Sequence, residues 1–294
     1  MSKKLPHFLL FTTILVWGSS FPVMSFLLNI VEPMPLALSR FLIPGVMSLI
    51  FLIFSTKTID KQDIIRFVLA GFIGIFFYNL FLNTGQQTVS AGASSFIVNC
   101  NPLFASLIGF YILKQKVKRF FWFGILGCIV GIFIISFETY EKFTFNIGVM
   151  YILIAAILTS SYFHIIKPLV NKYGALTSFS FTLFFGTLPM LFWFNDVYSS
   201  IIIATPEILF AILWLSIICT LLGYYTWTYS VGFFGANKAS FFLFLIPVFS
   251  IIIDFIIFYK SPNIFTLIGG LIILSSVTII MFLNYRETNE HLEK

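Results

Sequence analysis

The feature that most constrains this chain is a succession of long apolar runs. A run of about 20 apolar residues can cross the hydrocarbon core of a bilayer as a helix. The sequence contains ten such runs, at 8–28, 35–54, 66–86, 92–113, 120–137, 147–167, 175–194, 207–229, 236–258 and 264–284. Only 10% of the residues are charged and 59% are hydrophobic, whereas soluble domains carry about 25% charge. The sequence therefore predicts an all-α membrane protein of ten transmembrane helices.

The basic residues between these runs predict the orientation. If the N-terminus is cytoplasmic, 14 of the 17 basic residues fall on the cytoplasmic side. Lys142 and Lys260 fall on the opposite side, and Arg40 lies inside a span. An excess of Lys and Arg marks cytoplasmic connections. We therefore expect both termini in the cytoplasm and a bacterial inner or plasma membrane location.

The second half of the chain repeats the first. When 91–135 is moved forward by 145 positions without a gap, Pro102 meets Pro247 and Gly124 meets Gly269. Each half has five spans, and this odd number makes the halves enter the membrane in opposite directions. Inverted repeats of this kind are common in secondary transporters, with the site at the midplane. We predict two inverted five-helix repeats, at 1–140 and 146–285.

Several segments carry a resemblance to a known family. They are Leu15-Val16-Trp17-Gly18-Ser19-Ser20-Phe21, Arg40-Phe41-Leu42, the stretch from Gly85 to Pro102-Leu103, and Ala236-Asn237-Lys238-Ala239-Ser240 with Pro247-Val248. In this order they resemble EamA-type members of the drug/metabolite transporter superfamily. The resemblance implies a ten-helix bundle that exports amino acids or other metabolites. The family commonly has a Glu shortly after the proline helix of each half, where this chain has Gln115 and Lys260, so no role of that Glu is transferred.

Polar stripes indicate which helix faces could meet a solute. Asn79, Asn83 and Gln86 share one face of the third span, because helix residues three or four apart are neighbours. Amides facing lipid are costly, so this stripe is expected to face a wet cavity or to bond neighbouring helices. On the fourth span, Asn99 shares a face with Pro102.

Aromatic residues supply the other candidates for a substrate site. Trp17 lies deep in the first span, and Tyr224 and Trp227 share one side of the eighth. The repeat pairs Asn99 with Phe244, so one wall of the central space would be polar and the other apolar. The predicted substrate-binding residues are Trp17, Asn79, Asn83, Asn99, Tyr224, Trp227 and Phe244. This set fits an amphipathic ligand.

The two repeated prolines predict helix breaks. Pro102 and Pro247 each remove a helix hydrogen bond and free a carbonyl. Such breaks are tolerated where they line a cavity, although a plain packing kink is the alternative.

Arg40 lies inside the second predicted span, whereas Arg66, Lys167 and Lys238 lie at or near the ends of theirs. A buried cation needs a partner, and Glu32 and Asp254 are at a similar depth. We predict that Arg40 and Asp254 form a gating ion pair. The alternative is an arginine that extends to the membrane surface.

Other residue classes limit the possible functions. The three histidines are scattered and no span carries paired acids, so neither catalysis, a metal site nor a cofactor is predicted. Without a basic cluster at the midplane, phosphorylated sugars are disfavoured. Gly124, Gly127 and Gly131 form a small-residue face, which predicts close helix packing or a homodimer contact.

We therefore predict a non-enzymatic secondary transporter, acting as an exporter by alternating access around a midplane cavity. Its predicted substrates are small neutral or zwitterionic metabolites such as amino acids. A small-molecule substrate and the lipid bilayer are the expected partners, without nucleic acid. A non-transporting membrane sensor or accessory protein is the alternative, followed by an intramembrane enzyme.

Overall fold

The computed structural model describes residues 5–111, 114, 119–137, 146–234 and 242–292, and their regular elements are all helical. In chain order the helices are α1 (Leu5–Leu27), α2 (Pro33–Phe54), α3 (Lys61–Gln86), α4 (Ala91–Tyr111), α5 (Arg119–Ile135), α6 (Ile147–Tyr173), α7 (Ala175–Ile202), α8 (Pro206–Leu213, Trp214–Leu222 and Gly223–Phe234), α9 (Leu243–Phe258) and α10 (Ile264–Leu292).

The structure confirms that the described elements are helices and that several are apolar enough for a membrane protein. Within the described residues, seven helices are long and apolar enough to cross a membrane. These are α1–α4 and α6–α8, while α5, α9 and α10 contain shorter apolar stretches. Part of the ninth predicted span, at 236–241, lies outside the described residues. A crossing by all ten spans stays a prediction.

Two helices extend well beyond their predicted apolar runs. α3 begins at Lys61, before the apolar run that starts at residue 66, and α6 continues to Tyr173 although its run ends at 167. These added turns carry Asp63 and Lys172. Hydropathy detects only the apolar part of a helix, whereas hydrogen bonding continues the helix into polar sequence.

Both repeated prolines lie next to an irregular stretch of helix. α4 is interrupted at Asn99 and Cys100, and α-helix resumes with Asn101 and Pro102. In α9 a short 3₁₀ stretch, Leu243–Leu245, precedes an α-helix that has Pro247 in its first turn. Proline fits the first turn of a helix because a backbone N–H there would have no intrahelical acceptor, so its absence costs no hydrogen bond.

π-Helical stretches occur at matching places in the two halves. Phe72–Phe77 of α3 is π-helical, and so is Trp214–Leu222 of α8. Moving Phe72–Phe77 forward by 145 positions gives 217–222, inside the second stretch. π-Bulges are rare and often occur at functional positions. The matching pair makes α3 and α8 candidates for functional helices.

Helix contacts follow a reciprocal pattern between the halves. α1 packs on α8 and α9, while α6 packs on α3 and α4; α2 packs on α7, and α5 on α10. The main hydrophobic core cluster includes buried residues of α1, α3–α6, α8, α9 and α10. Most of the central contacts therefore join the two halves of the chain.

The small-residue face of α5 is occupied within the chain. A Cβ at Gly131 would lie 2.6 Å from the carbonyl oxygen of Gly269 on α10, and one at Gly127 would lie 2.1 Å from the Ser276 hydroxyl. These glycines let α5 and α10 approach each other closely. A homodimer through small-residue faces stays a prediction, but Gly127 and Gly131 already contact α10.

Candidate solute-binding site

Aromatic rings from α1, α7 and α8 meet at the centre of the helix bundle. The Trp17 ring lies 5.4 Å from that of Tyr224 and 5.5 Å from that of Trp227, centroid to centroid. Phe179 of α7 stacks on Tyr224 at 4.3 Å. We call Trp17, Phe179, Tyr224 and Trp227 the aromatic cluster. The structure thus brings together the three aromatic residues predicted on α1 and α8.

The π-helical stretch of α8 fixes the orientation of Trp17. The indole N–H of Trp17 donates to the carbonyl of Cys219, at 3.1 Å. A Cβ at Gly223 would lie 2.5 Å from the same indole nitrogen, so only glycine leaves room for this ring position. One turn before Trp17 on α1, the buried hydroxyl of Thr13 lies 2.8 Å from that of Thr226 on α8. α1 and α8 are therefore held together by polar contacts on both sides of the cluster.

Arg40 of α2 reaches the same region. Its Nε donates to the Thr220 hydroxyl at 3.2 Å, and its Nη1 lies 3.2 Å from the Met24 sulfur. Thr220 precedes Tyr224 by four residues on α8. A basic group therefore borders the aromatic cluster.

Asp254, the predicted partner of Arg40, is buried on α9. α1 faces α9 through Gly18, whose Cβ would meet Phe249, whereas Met24 of α1 faces Arg40. The Arg40–Asp254 pair stays a prediction.

The amides of α3 are buried and hydrogen bonded. Asn83 donates to the carbonyl of Pro33 at 3.0 Å, and Gln86 donates to that of Phe21 at 3.3 Å. Asn79 donates to the carbonyl of Ile75 in its own helix. The amide oxygens of these three residues have no hydrogen-bond partner in the described part of the chain. Two of the three side chains thus bond a neighbouring helix, and their contact with a solute stays a prediction.

Asn99 and its surroundings stabilise the interruption of α4. The Asn99 amide donates to the Ser95 carbonyl at 2.8 Å, and its side chain is half-buried. Beyond the interruption, Ser160 of α6 donates to the carbonyl of Asn101, and His164 lies 2.8 Å from that of Ala105. α6 therefore helps to position the second part of α4.

Phe244 belongs to the same hydrophobic core cluster as Trp17 and Trp227. It is buried, at 9% exposure, in the 3₁₀ stretch before Pro247. That Phe244 lines a solute site stays a prediction.

Sequence reasoning missed Phe179, a member of the aromatic cluster, and two further tyrosines, Tyr78 of α3 and Tyr162 of α6. Tyr162 packs over Gly74, where a Cβ would lie 2.5 Å from its ring. Gly71, Gly74 and Tyr78 share one helix face, so the glycines could have indicated that this face meets another helix. Phe179 carried no such signal, because it is one of 40 phenylalanines.

A cavity of 540 Å³ lies at the end of the bundle that holds the α1–α2 connection. Its lining includes Glu32, Pro33, Leu80, Trp193 and Asp196. Both carboxylates are exposed. This end of the bundle is therefore partly open and acidic.

The opposite end of the bundle is joined by a polar network of Lys57, Asp60, Asp63, Arg66, Lys172 and Tyr173. The buried Asp63 accepts from Tyr173 at 2.7 Å, from Lys172 at 2.6 Å and from Arg66 at 2.9 Å. Lys172 also donates to Asp60, and Lys57 donates to the Tyr173 carbonyl. This network links the start of α3 in the first half to the end of α6 in the second.

The arrangement is suited to binding a small molecule. It offers aromatic faces, one guanidinium, and hydroxyl groups between the two halves of the chain. In the described residues no three His, Cys, Asp or Glu side chains come together as a metal-binding group. The long apolar helices define the class of polytopic membrane proteins.

Comparison with known proteins specifies the class further. The model of the EamA-like transporter family matches twice, at residues 4–137 and 146–282. An uncharacterized transporter of Bacillus subtilis (strain 168), YdfC, is 30% identical over 94% of this chain and 92% of its own length. A probable terminal-alkyne amino-acid exporter of Streptantibioticus cattleyicolor is 24% identical over 91% of this chain and 90% of its own.

A solved crystal structure superposes with a TM-score of 0.62, covering 97% of this chain and 99% of the other at 15% identity. That likeness concerns the fold alone. The family matches establish that the chain belongs to the EamA-like transporter family. It is an integral membrane protein of a transporter family, and its surroundings are lipid.

Proposed function

We propose that this chain is a secondary transporter that exports small neutral or zwitterionic metabolites, such as amino acids, by alternating access. The observation that carries the proposal is the aromatic cluster, which joins Trp17 of the first half to Tyr224 and Trp227 of the second. A solute held there would contact both halves at once. Movement of one half against the other would then change its access.

The proposed architecture is ten transmembrane helices in two inverted repeats, 1–140 and 146–285, with both termini in the cytoplasm. The matching π-helical stretches of α3 and α8 and the reciprocal helix contacts support it. The proposed location is the bacterial inner or plasma membrane, because the basic residues cluster on one side.

On this topology, the conformation corresponds to one open toward the outside. The 540 Å³ cavity would lie at the external end, and the polar network around Asp63 would close part of the cytoplasmic end. Alternating access requires the network to separate when the cytoplasmic side opens. Its ion pairs would make that opening reversible, because Asp60, Arg66 and Lys172 are already partly exposed and the buried Asp63 would gain water when they part.

The proposed site uses Trp17, Tyr224 and Trp227 as the apolar wall, with Phe244 beyond them. Asn79, Asn83 and Asn99 supply the polar wall. Pro102 and Pro247 place the irregular backbone beside this space. Amino acids as the substrate class are supported by the chemistry of these walls and by the similarity to a probable terminal-alkyne amino-acid exporter.

Flux through purified protein tests the proposal. Proteoliposomes loaded with radiolabelled L-leucine, L-phenylalanine, adenosine or phenethylamine should release at least one solute faster than protein-free liposomes. A Trp17→Ala, Trp227→Ala double variant should lose most of this flux. Phe123→Ala is the matched control, since Phe123 is 71% exposed on α5 and should face lipid.

Equal release from protein-free and protein-containing vesicles for every solute would contradict a transport function. The sensor alternative would then be favoured if a solute still raised the unfolding temperature of the purified protein, because a bound ligand stabilises the folded state.

A further inference from the structure

Arg40 carries a positive charge into the centre of the bundle, and its described contacts supply no negative charge. They are the Thr220 hydroxyl at 3.2 Å, the Met24 sulfur at 3.2 Å and the Phe41 ring, whose centroid is 5.1 Å from the guanidinium carbon. Arg40 is half-buried.

The guanidinium retains unused hydrogen-bond donors. Arginine has five N–H donors in a planar fork and stays charged in proteins. The contacts with Thr220 and Met24 use two of them. A cation in a membrane protein that has only neutral neighbours is costly and favours an anionic partner. A carboxylate can accept two parallel N–H bonds from this fork.

The surroundings of Arg40 also define the rest of a ligand. Arg40 donates to Thr220, which precedes Tyr224 by four residues on α8. Tyr224 stacks on Phe179 at 4.3 Å and contacts Trp17 at 5.4 Å. A carboxylate on Arg40 would place an attached apolar group against these rings. The described contacts of Arg40 and of the aromatic cluster include no second basic side chain, which favours a monoanion over a phosphate.

We infer that Arg40 binds the carboxylate of the transported solute, so that substrates are small carboxylates or amino acids with an apolar body. This inference rests on the proposed transport function and specifies its substrate class. It also gives Arg40 a role during each transport cycle. An ion pair with Asp254 could form only when no carboxylate occupies the site.

The test compares ligands that share one apolar body. Purified protein in nanodiscs is titrated with L-phenylalanine, 3-phenylpropionate, L-phenylalaninamide and phenethylamine by isothermal titration calorimetry. The two carboxylates should bind at least about tenfold more tightly than the amide and the amine, because a hydrogen bond to a charged group is lost in the latter. Arg40→Gln should reduce this ratio to about one, and Arg40→Lys should retain part of it.

Met24→Leu is the matched control, because it removes another contact of Arg40 and leaves the charge in place. Its carboxylate preference should equal that of the unmodified protein. Binding of L-phenylalaninamide by Arg40→Gln shows that the variant is folded. If Arg40→Gln binds none of the four ligands, Arg40→Lys decides. Its preference for carboxylates over the amide and amine must be smaller than that of the unmodified protein.

Three results would overturn the inference. They are an unmodified protein that binds the amide or amine as tightly as the carboxylates, an Arg40→Gln variant with an unchanged preference, and an Arg40→Asp, Asp254→Arg variant that restores both transport and preference. Flux of adenosine or phenethylamine without flux of carboxylates would leave the transport function standing and exclude this substrate class. Absence of flux for every solute would contradict both proposals.

Discussion

At the residue scale, the central site depends on small groups that leave room for large ones. Gly223 leaves space for the Trp17 indole, and Gly74 leaves space for the Tyr162 ring. The indole N–H is satisfied by the Cys219 carbonyl. Aromatic rings with a satisfied polar atom can line a cavity without the cost of an unpaired donor. This explains how bulky side chains on neighbouring helices can meet at the centre of the bundle.

Asn99 and Trp227 should differ in their effect on binding. Asn99→Ala should weaken the binding of every substrate, by about 0.5–1.5 kcal/mol, because it removes a shared polar contact. Trp227→Ala should change the preference among substrates, because it reshapes the apolar wall next to Trp17. Affinities measured on detergent-stable protein distinguish these effects from a loss of folded yield. Unchanged affinity in both variants would place the site on other helices.

At the element scale, α5 and α10 are joined through backbone contact. Gly131→Ala should lower the unfolding free energy by about 1–3 kcal/mol, because the new methyl group would overlap the Gly269 carbonyl. Val130→Ala is the control on the same helix, since Val130 is 43% exposed. Thermal unfolding in detergent should show a lower midpoint for the glycine variant alone. Equal midpoints would mean that α5 and α10 can separate without cost.

The polar network around Asp63 offers a matched pair of carboxylates. Both Asp60 and Asp63 accept from Lys172, but Asp63 is 3% exposed and the Asp60 side chain is 68% exposed. Asp63→Asn should destabilise the protein by about 1–3 kcal/mol, because it removes the buried carboxylate that accepts from Tyr173, Lys172 and Arg66. Asp60→Asn should cost less than about 1 kcal/mol, because exposed ion pairs are screened by water.

Hydrogen exchange provides the local measurement for this pair. In Asp63→Asn, exchange should increase at the start of α3 and the end of α6, where the network joins the two halves. Asp60→Asn should leave it nearly unchanged. Equal exchange in both variants would mean that the network does not hold these ends together.

At the scale of the whole molecule, the orientation in the membrane is the property that remains to be measured. Reporter fusions after Lys61, Lys118 and Lys172 should all report the cytoplasm, because basic connections stay on that side. Fusions after Lys142 and Asp196 should report the opposite side. A cytoplasmic signal from the Lys142 fusion would show that a span had been miscounted.

Sequence patterns predicted the helical membrane fold and three aromatic residues that the structure brings together. Runs of apolar residues identify helices long enough to span a bilayer, and polar and aromatic stripes identify faces that are unlike lipid. This spacing placed Tyr224 and Trp227 on one side of α8, and Trp17 on α1. The repeated Pro102 and Pro247 marked the places where helix geometry becomes irregular.

Only the tertiary structure decided which helix each face meets. It paired α5 with α10 through Gly131 and Gly269, and it gave the Asn83 and Gln86 amides backbone partners on neighbouring chain segments. It also stacked Phe179 on Tyr224. Lipid is as apolar as a neighbouring helix, so hydropathy cannot separate a lipid-facing side chain from a buried one. Helix spacing defines a face, whereas the partner of that face depends on the packing of the whole bundle.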